Sequence, residues 1–159
     1  MFEDVITRYF SRELIARTKE LGLKKWYIAY YCEISEKTIT ECFNGERLPT
    51  VWQLILMAEM CHCIVNDLLG YRYFRNNSDE LASSIPQAAT KLPAITWNRV
   101  KEIMQRNGIT IVDLSERTGI PVRNISSCFE GRNEKYPKTM DFLRICDALD
   151  CTPSDLLGY

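Results

Sequence analysis

Residues 111–130 read IVDLSERTGIPVRNISSCFE, and this stretch decides the fold. Gly119 can adopt the positive φ that a tight turn needs, and Pro121 suits the first turn of the helix that follows. Ser115 is small enough to let two helices approach closely, while Ile125 would bury the inner face of the second helix. The pattern predicts two short helices joined by a tight turn.

Residues 25–44, KWYIAYYCEISEKTITECFN, show the same pattern of apolar positions earlier in the chain. Beyond the motif, the pentapeptide DLLGY stands at 67–71 and again at 155–159. With apolar positions matched between these landmarks, the similarity extends over roughly 14–71 and 100–159. The sequence therefore predicts two tandem copies of one small module.

Each copy is expected to contain five short helices, which makes the predicted fold class all-α. Residues 76–93 are rich in turn-forming and small polar residues and include two prolines, so they predict a linker. The predicted domains are 1–75 and 94–159. In the second, the helices are expected to end near Asn107, at Arg117 and at Phe129, then to span Lys138–Leu149 and to restart at Pro153.

The five-helix order, the Gly119 turn, the Phe129-Glu130-Gly131-Arg132 exit and the Leu-Leu ending resemble Cro/C1-type (XRE-family) helix-turn-helix domains. The resemblance implies a lambda-repressor-like fold and a sequence-specific regulator, expected to be a repressor, that binds double-stranded DNA. In that family the second helix of the motif lies in the major groove. The residues expected to face the bases are Val122, Arg123, Asn124, Ser126 and Ser127. Those expected on the DNA backbone are Thr110, Arg132, Asn133 and Lys135, and the weaker contacts of copy 1 would come from Lys24, Lys37, Thr38 and Thr40.

Copy 1 departs from this pattern at its turn and on its outward face. Glu33 replaces the turn glycine, and a non-glycine residue at positive φ costs about 1 kcal/mol. The turn is therefore expected to be distorted, or the spacing of the motif altered. Glu36 and Glu41 would also oppose the field of the phosphates. Copy 2 is accordingly expected to bind DNA more strongly than copy 1. Because the two recognition helices differ, the DNA site is expected to be asymmetric.

The first motif helix of copy 1 carries Trp26, Tyr27, Tyr30 and Tyr31, more aromatic surface than so small a module can bury. Such residues are typical of protein interfaces. The alternative function is therefore a protein-interaction module, of the antiactivator or antitoxin kind, with a protein partner or a homodimer.

An apolar stripe at the amino terminus allows two interpretations. It consists of Phe2, Val5, Ile6, Tyr9 and Phe10 at helical spacing. The stripe either extends the first helix over its own module or forms an interface, for which Phe2 and Tyr9 are the candidate residues.

Composition narrows the function further. With 20 basic and 21 acidic residues the net charge is −1, which counts against strong non-specific DNA binding. The single histidine, and the lack of a glycine-rich phosphate loop or a nucleophile elbow, predict that the protein is not an enzyme and needs no cofactor. No apolar run could cross a membrane and no secretory signal is seen, so a cytoplasmic location is expected, with the seven cysteines reduced. The Cys61-His62-Cys63 spacing fits no standard zinc pattern, and no metal is expected.

Overall fold

The computed structural model describes residues 2–70, 93–129 and 137–157, and every regular element within them is a helix. The chain divides into two compact units, Met1–Asn76 and Asn77–Tyr159. The helices of unit 1 are α1 (Phe2–Glu20), α2 (Lys25–Tyr31), α3 (Glu36–Phe43), α4 (Val51–Met60) and α5 (Val65–Leu69). Those described in unit 2 are α6 (Pro93–Asn107), α7 (Ile111–Thr118), α8 (Val122–Phe129), α9 (Thr139–Ala148) and α10 (Pro153–Leu157).

The all-α prediction is confirmed, with small corrections at helix ends. Helix α7 runs one residue beyond Arg117, to Thr118, whose hydroxyl donates to the Leu114 carbonyl at 2.7 Å. Helix α9 is one residue shorter at each end than predicted, since Lys138 and Leu149 are its caps. Residues 76–92 of the predicted linker lie outside the described residues. Its last residue, Pro93, is instead the first residue of α6.

Within unit 1, α1 packs on α3 and α5, α2 packs on α3 and α4, and α4 packs on α5. The apolar stripe of α1 serves this core, because Ile6 and Phe10 are buried while Val5 is 51% exposed. Each large apolar side chain that is fully buried contributes about 1.5–3 kcal/mol to folding. These two positions thus support the interpretation that α1 belongs to its own module. The side chain of Phe2 lies outside the described part of the chain.

Unit 2 repeats the same five helix pairings among its described helices. Helix α6 packs on α8 and α10, α7 packs on α8 and α9, and α9 packs on α10. Its core contains Leu114, Ile125, Phe142, Leu143 and Leu156, all nearly inaccessible to solvent. Both units therefore hold a pair of short helices, α2–α3 and α7–α8, against the remaining three.

A shared backbone feature ends the fourth helix of each unit. His62 and Asp150 follow α4 and α9 with φ of 53° and 54°, the left-handed conformation. In each case the next amide, of Cys63 or Cys151, donates to a carbonyl five residues back, at 3.0 and 2.9 Å. This closure is a Schellman-type helix end. His62 and Asp150 therefore occupy equivalent positions at the ends of these helices, and the position does not require a histidine.

Candidate nucleic-acid interface

The α8 helix begins directly after the turn of the unit 2 motif. Pro121 was expected in its first turn, but the helix starts at Val122 and Pro121 precedes it. The Pro121 carbonyl accepts the amides of Asn124 at 2.9 Å and Ile125 at 3.3 Å. Proline still fits, because an amide at this position would have no helical acceptor and a fixed φ starts the helix in the required direction.

The inner face of α8 is held by Ile125, which is 1% exposed. Val122, Arg123 and Asn124 are exposed on the first turn of the helix, whereas Ser126 and Ser127 are half-buried further along. The Ser127 hydroxyl donates to the Arg123 carbonyl at 2.9 Å, so its proton is used within the helix. Of the five residues expected to face bases, the three on the first turn are the most accessible.

The turn that sets the direction of α8 forms as the sequence predicts. Gly119 has a φ of 77°, and its amide donates to the Ser115 carbonyl at 2.8 Å. The Ser115 hydroxyl crosses the turn and donates to the Ile120 carbonyl at 2.6 Å. Ser115 therefore contributes a hydrogen bond as well as a small side chain.

Thr110 caps α7, in a reciprocal arrangement with Asp113. The Asp113 amide donates to the Thr110 hydroxyl oxygen at 3.1 Å, and the Thr110 amide donates to the Asp113 carboxylate at 2.9 Å. These bonds, with the backbone bond as the largest cause, lower the pKa of Asp113 below its ordinary value. The spacing of a threonine followed by an acidic residue three positions later is a capping-box signal that could have identified Asp113. It also places a carboxylate beside a residue expected to meet phosphate.

The remaining predicted backbone contacts of unit 2 are Arg132, Asn133 and Lys135. They lie outside the described residues, as do Glu130 and Gly131 of the predicted motif exit.

The corresponding helix of unit 1, α3, has the same length as α8 and a different outer face. Ser35 caps it as expected, accepting the Thr38 amide at 3.1 Å. Lys37 is exposed, but the Thr40 hydroxyl donates to the Glu36 carbonyl at 2.9 Å. Glu41 accepts from Arg47 at 3.2 Å, a partner that the sequence pattern does not indicate. Much of this face is therefore engaged within unit 1.

The expected change in motif spacing is wrong, because α3 begins eleven residues after the start of α2, as α8 does after the start of α7. The turn itself differs, since four residues separate α2 from α3 and three separate α7 from α8. Glu33 itself adopts the left-handed conformation, with a φ of 55°. Its amide donates to the Tyr30 carbonyl at 3.3 Å, and the Ile34 amide donates to the Ala29 carbonyl at 3.0 Å. A Schellman-type closure thus replaces the glycine turn of unit 2.

The side chains of Trp26, Tyr27, Tyr30 and Tyr31 form an exposed surface on α2, here called the aromatic surface. Their exposed fractions are 61%, 38%, 80% and 39%. The Trp26 and Tyr27 rings meet edge to face with centroids 6.0 Å apart, and Tyr27 and Tyr31 lie 6.3 Å apart. The prediction that one helix cannot bury these rings is confirmed within the described structure.

Tyr9, the other aromatic candidate of unit 1, lies against Gly70. A Cβ atom added to Gly70 would come within 2.8 Å of the Tyr9 ring. Tyr9 is half-buried in this contact and packs inside unit 1 rather than on the aromatic surface.

Cysteines are mostly part of the core. Burial is the largest cause that raises the pKa of Cys32 and Cys63 to about 12, and of Cys42 and Cys61 to about 11. A thiol held protonated is a poor nucleophile and a poor metal ligand. Among the residues that the structure describes, no group of three or more His, Cys, Asp or Glu side chains is arranged to hold a metal ion.

Both the helix pairings and the exposed first turn of α8 define a helix-turn-helix domain in unit 2. Residues 99–159, less than half of the chain, match the family model of the Cro/C1-type HTH DNA-binding domain. No curated protein and no solved structure matches the chain. None of the described helices is long and apolar enough to cross a membrane.

Proposed function

We propose that the protein is a sequence-specific transcriptional repressor that reads double-stranded DNA mainly through α8. The observation that carries this proposal is the exposed pair Arg123 and Asn124 on the first turn of α8. An Arg side chain can bond guanine and an Asn side chain can bond adenine, each through two atoms in the major groove. Val122, 40% exposed beside them, offers an apolar contact for a thymine methyl group.

Charge supports α8 over α3 as the reader. The only charged side chain of α8 is that of Arg123, whereas α3 carries two carboxylates and one lysine. Thr110 would add a phosphate contact from its hydroxyl hydrogen, which its cap bond leaves unused. Lys24, Lys37, Thr38 and Thr40 would give unit 1 a second, weaker contact on an asymmetric operator. Repression is supported by the resemblance to repressor domains and would follow where this operator overlaps a promoter.

A binding selection on random duplexes, followed by fluorescence anisotropy at low salt, tests the proposal. Arg123→Ala should weaken binding to the selected duplex by about tenfold to a hundredfold, because a bidentate base contact contributes about 1–3 kcal/mol. Arg144→Ala is the matched control, since Arg144 is an exposed α9 arginine paired with Asp141 at 3.4 Å. No enrichment of any sequence, or equal losses in the two variants, would contradict the proposal.

A second candidate function, a protein-interaction module, is favoured by the aromatic surface of α2. Trp26 and Tyr30 are exposed by 61% and 80%, and such side chains dominate the binding energy of protein interfaces. This function predicts association that changes on substitution of Tyr30 and is indifferent to Arg123. That the protein is cytoplasmic and not an enzyme remains a prediction in either case.

A further inference from the structure

We propose that the aromatic surface binds single-stranded nucleic acid, with unpaired bases stacked on Trp26 and Tyr30 and a neighbouring phosphate neutralised by Lys24. The inference goes beyond the proposed function, because it assigns a ligand to α2 and does not depend on duplex binding by α8. It also differs from the second candidate function, in which the ligand of this surface is a protein.

The first argument is the composition of the exposed face of α2. The helix has seven residues, of which Ile28 and Ala29 are buried and the other five are Lys25 and the four aromatic residues. This face of α2 therefore exposes rings and a positive charge, with no aliphatic or acidic side chain among them. Proteins that hold single strands combine positive charge with rings on which bases stack, whereas lysine is depleted at protein interfaces. The composition favours a nucleic acid over a protein as the ligand.

The equivalent helix of unit 2 shows that the fold does not require these rings. At the α7 positions that correspond to the four aromatic residues stand Val112, Asp113, Glu116 and Arg117. Rings as exposed as those of Trp26 and Tyr30 bury little apolar area, so they contribute little to folding. Their role therefore lies outside the core of unit 1.

The spacing of the two most exposed rings suits a single strand rather than a duplex. Trp26 and Tyr30 are four residues apart, so they share one face of α2 and lie about 6 Å apart along its axis. Each strand of a duplex advances only about 3.4 Å per nucleotide, and its base faces are covered by neighbouring bases. Bases that are unpaired and spread apart can reach both rings. The Trp26 ring is supported by Tyr27, which meets it edge to face with centroids 6.0 Å apart.

Charge gives the site a position along α2. Lys24, directly before the helix, is exposed, while the Nζ atom of Lys25 lies 5.2 Å from the centre of the Phe43 ring. Glu33 and Glu36 follow the end of α2 and are exposed, and their carboxylates would repel phosphate. The strand is therefore expected to lie over the first part of the surface, with about one base on each of the two exposed rings.

Fluorescence anisotropy tests the inference on the full chain at low salt, with labelled single strands of about 12 nucleotides as probes. Oligodeoxyuridylate and oligouridylate are chosen because they differ only in the 2′-hydroxyl group. Binding of either probe supports the inference, and the probe that binds more tightly identifies the strand as DNA or RNA. Failure of both probes to bind would overturn it.

Variants of the exposed rings distinguish stacking from other contacts. Tyr30→Leu removes the ring and should weaken binding about tenfold, as should Trp26→Leu, whereas Tyr30→Phe keeps the ring and should bind like the wild type. Tyr30 is 80% exposed, so neither change there should disturb folding. Ile15→Ala, at an α1 side chain that is 43% exposed, is the matched control and should leave binding unchanged. Equal binding by Tyr30→Leu and Tyr30→Phe would overturn the inference.

Salt dependence separates the contribution of Lys24 from that of the rings. Lys24→Gln should reduce the slope of log K against log salt concentration by about 0.7, the value for one phosphate contact on a single strand. Tyr30→Leu should lower the affinity at every salt concentration and leave the slope unchanged, because stacking releases no counterions. A slope that Lys24→Gln does not alter would overturn the phosphate contact.

Arg123→Ala distinguishes this site from the proposed duplex site on α8. It should leave binding of the single strands unchanged, while its effect on duplex binding is measured separately. Loss of single-strand binding in Arg123→Ala would place the strand on α8 and overturn the inference. Retained single-strand binding without any duplex binding would contradict only the proposed function.

Discussion

Helices α3 and α8 have the same length and the same inner face, yet they present opposite outer faces. Ile39 and Ile125 are 0% and 1% exposed in equivalent places, and each helix ends in the dipeptide Cys-Phe. The outer faces differ, because residues 36–41 of α3 read EKTITE and the equivalent residues 122–127 of α8 read VRNISS. The comparison shows that buried positions fix where such a helix lies, while its ligand is decided by side chains that contribute little to folding.

The largest expected effect comes from moving the unit 1 carboxylates onto α8. Val122→Glu combined with Ser127→Glu should reduce affinity for the selected duplex by about a hundredfold or more, since two added negative charges face phosphate and the positive Arg123 is offset. Fluorescence anisotropy measures the loss. The matched control is Val122→Gln with Ser127→Gln, which keeps the shape without the charge. If both pairs weaken binding equally, charge is not what separates α8 from α3.

The turns give the next largest effect, this time on stability. Gly119→Ala should lower the free energy of unfolding of unit 2 by about 1–2 kcal/mol, the cost of a left-handed alanine. A Cβ atom on Gly119 would meet nothing within 4 Å, so conformational strain is the expected cause. In unit 1, Glu33→Gly should remove the equivalent strain and raise stability by up to about 1 kcal/mol. Chemical denaturation of the full chain measures both, and changes of the same sign would contradict this explanation.

The sequence predicted the frame well because the frame depends on buried residues and on local backbone chemistry. Gly119, Ser35 and the apolar periodicity place the helices of both motifs to within a residue. The effect of Glu33 was misjudged because a Schellman-type closure can hold a left-handed glutamate without shifting α3. The sequence left the role of Tyr9 open between the core of its own module and an interface. Its contact with Gly70 joins the two ends of unit 1, and helical spacing carries no information about such a distant partner.

The caps before α7 and α2 are expected to affect the free energy of unfolding less than the turns do. Thr110→Val should destabilise unit 2 by about 1 kcal/mol, because the Asp113 amide loses its acceptor. Lys24, the equivalent residue before α2, makes no side-chain cap bond. Lys24→Ser should therefore stabilise unit 1 by about 0.5–1 kcal/mol. Thermal unfolding at low protein concentration tests both, and a stabilised Thr110→Val variant would contradict the capping role.

The smallest effect concerns acid sensitivity. Because the pKa of Asp113 is lowered in the folded state, its carboxylate stabilises unit 2 above its unfolded pKa. This contribution is lost as the pH falls below that value and through the lowered folded pKa. Asp113→Asn should therefore show a smaller loss of stability than the wild type between neutral and strongly acidic pH. Urea unfolding at several pH values measures the difference, and parallel pH curves would exclude the role of Asp113.

The distribution of tryptophan makes these measurements possible on one intact chain. The chain has three tryptophans, of which Trp26 and Trp52 belong to unit 1 and are 61% and 37% exposed. Trp97, in α6 of unit 2, is 5% exposed. Emission from a buried indole lies at shorter wavelength and shifts to the red when water reaches it, so unfolding of unit 2 has its own optical signal. Replacing Trp97 with phenylalanine would leave only the emission of unit 1, and the stability of each half could be followed without cutting the chain.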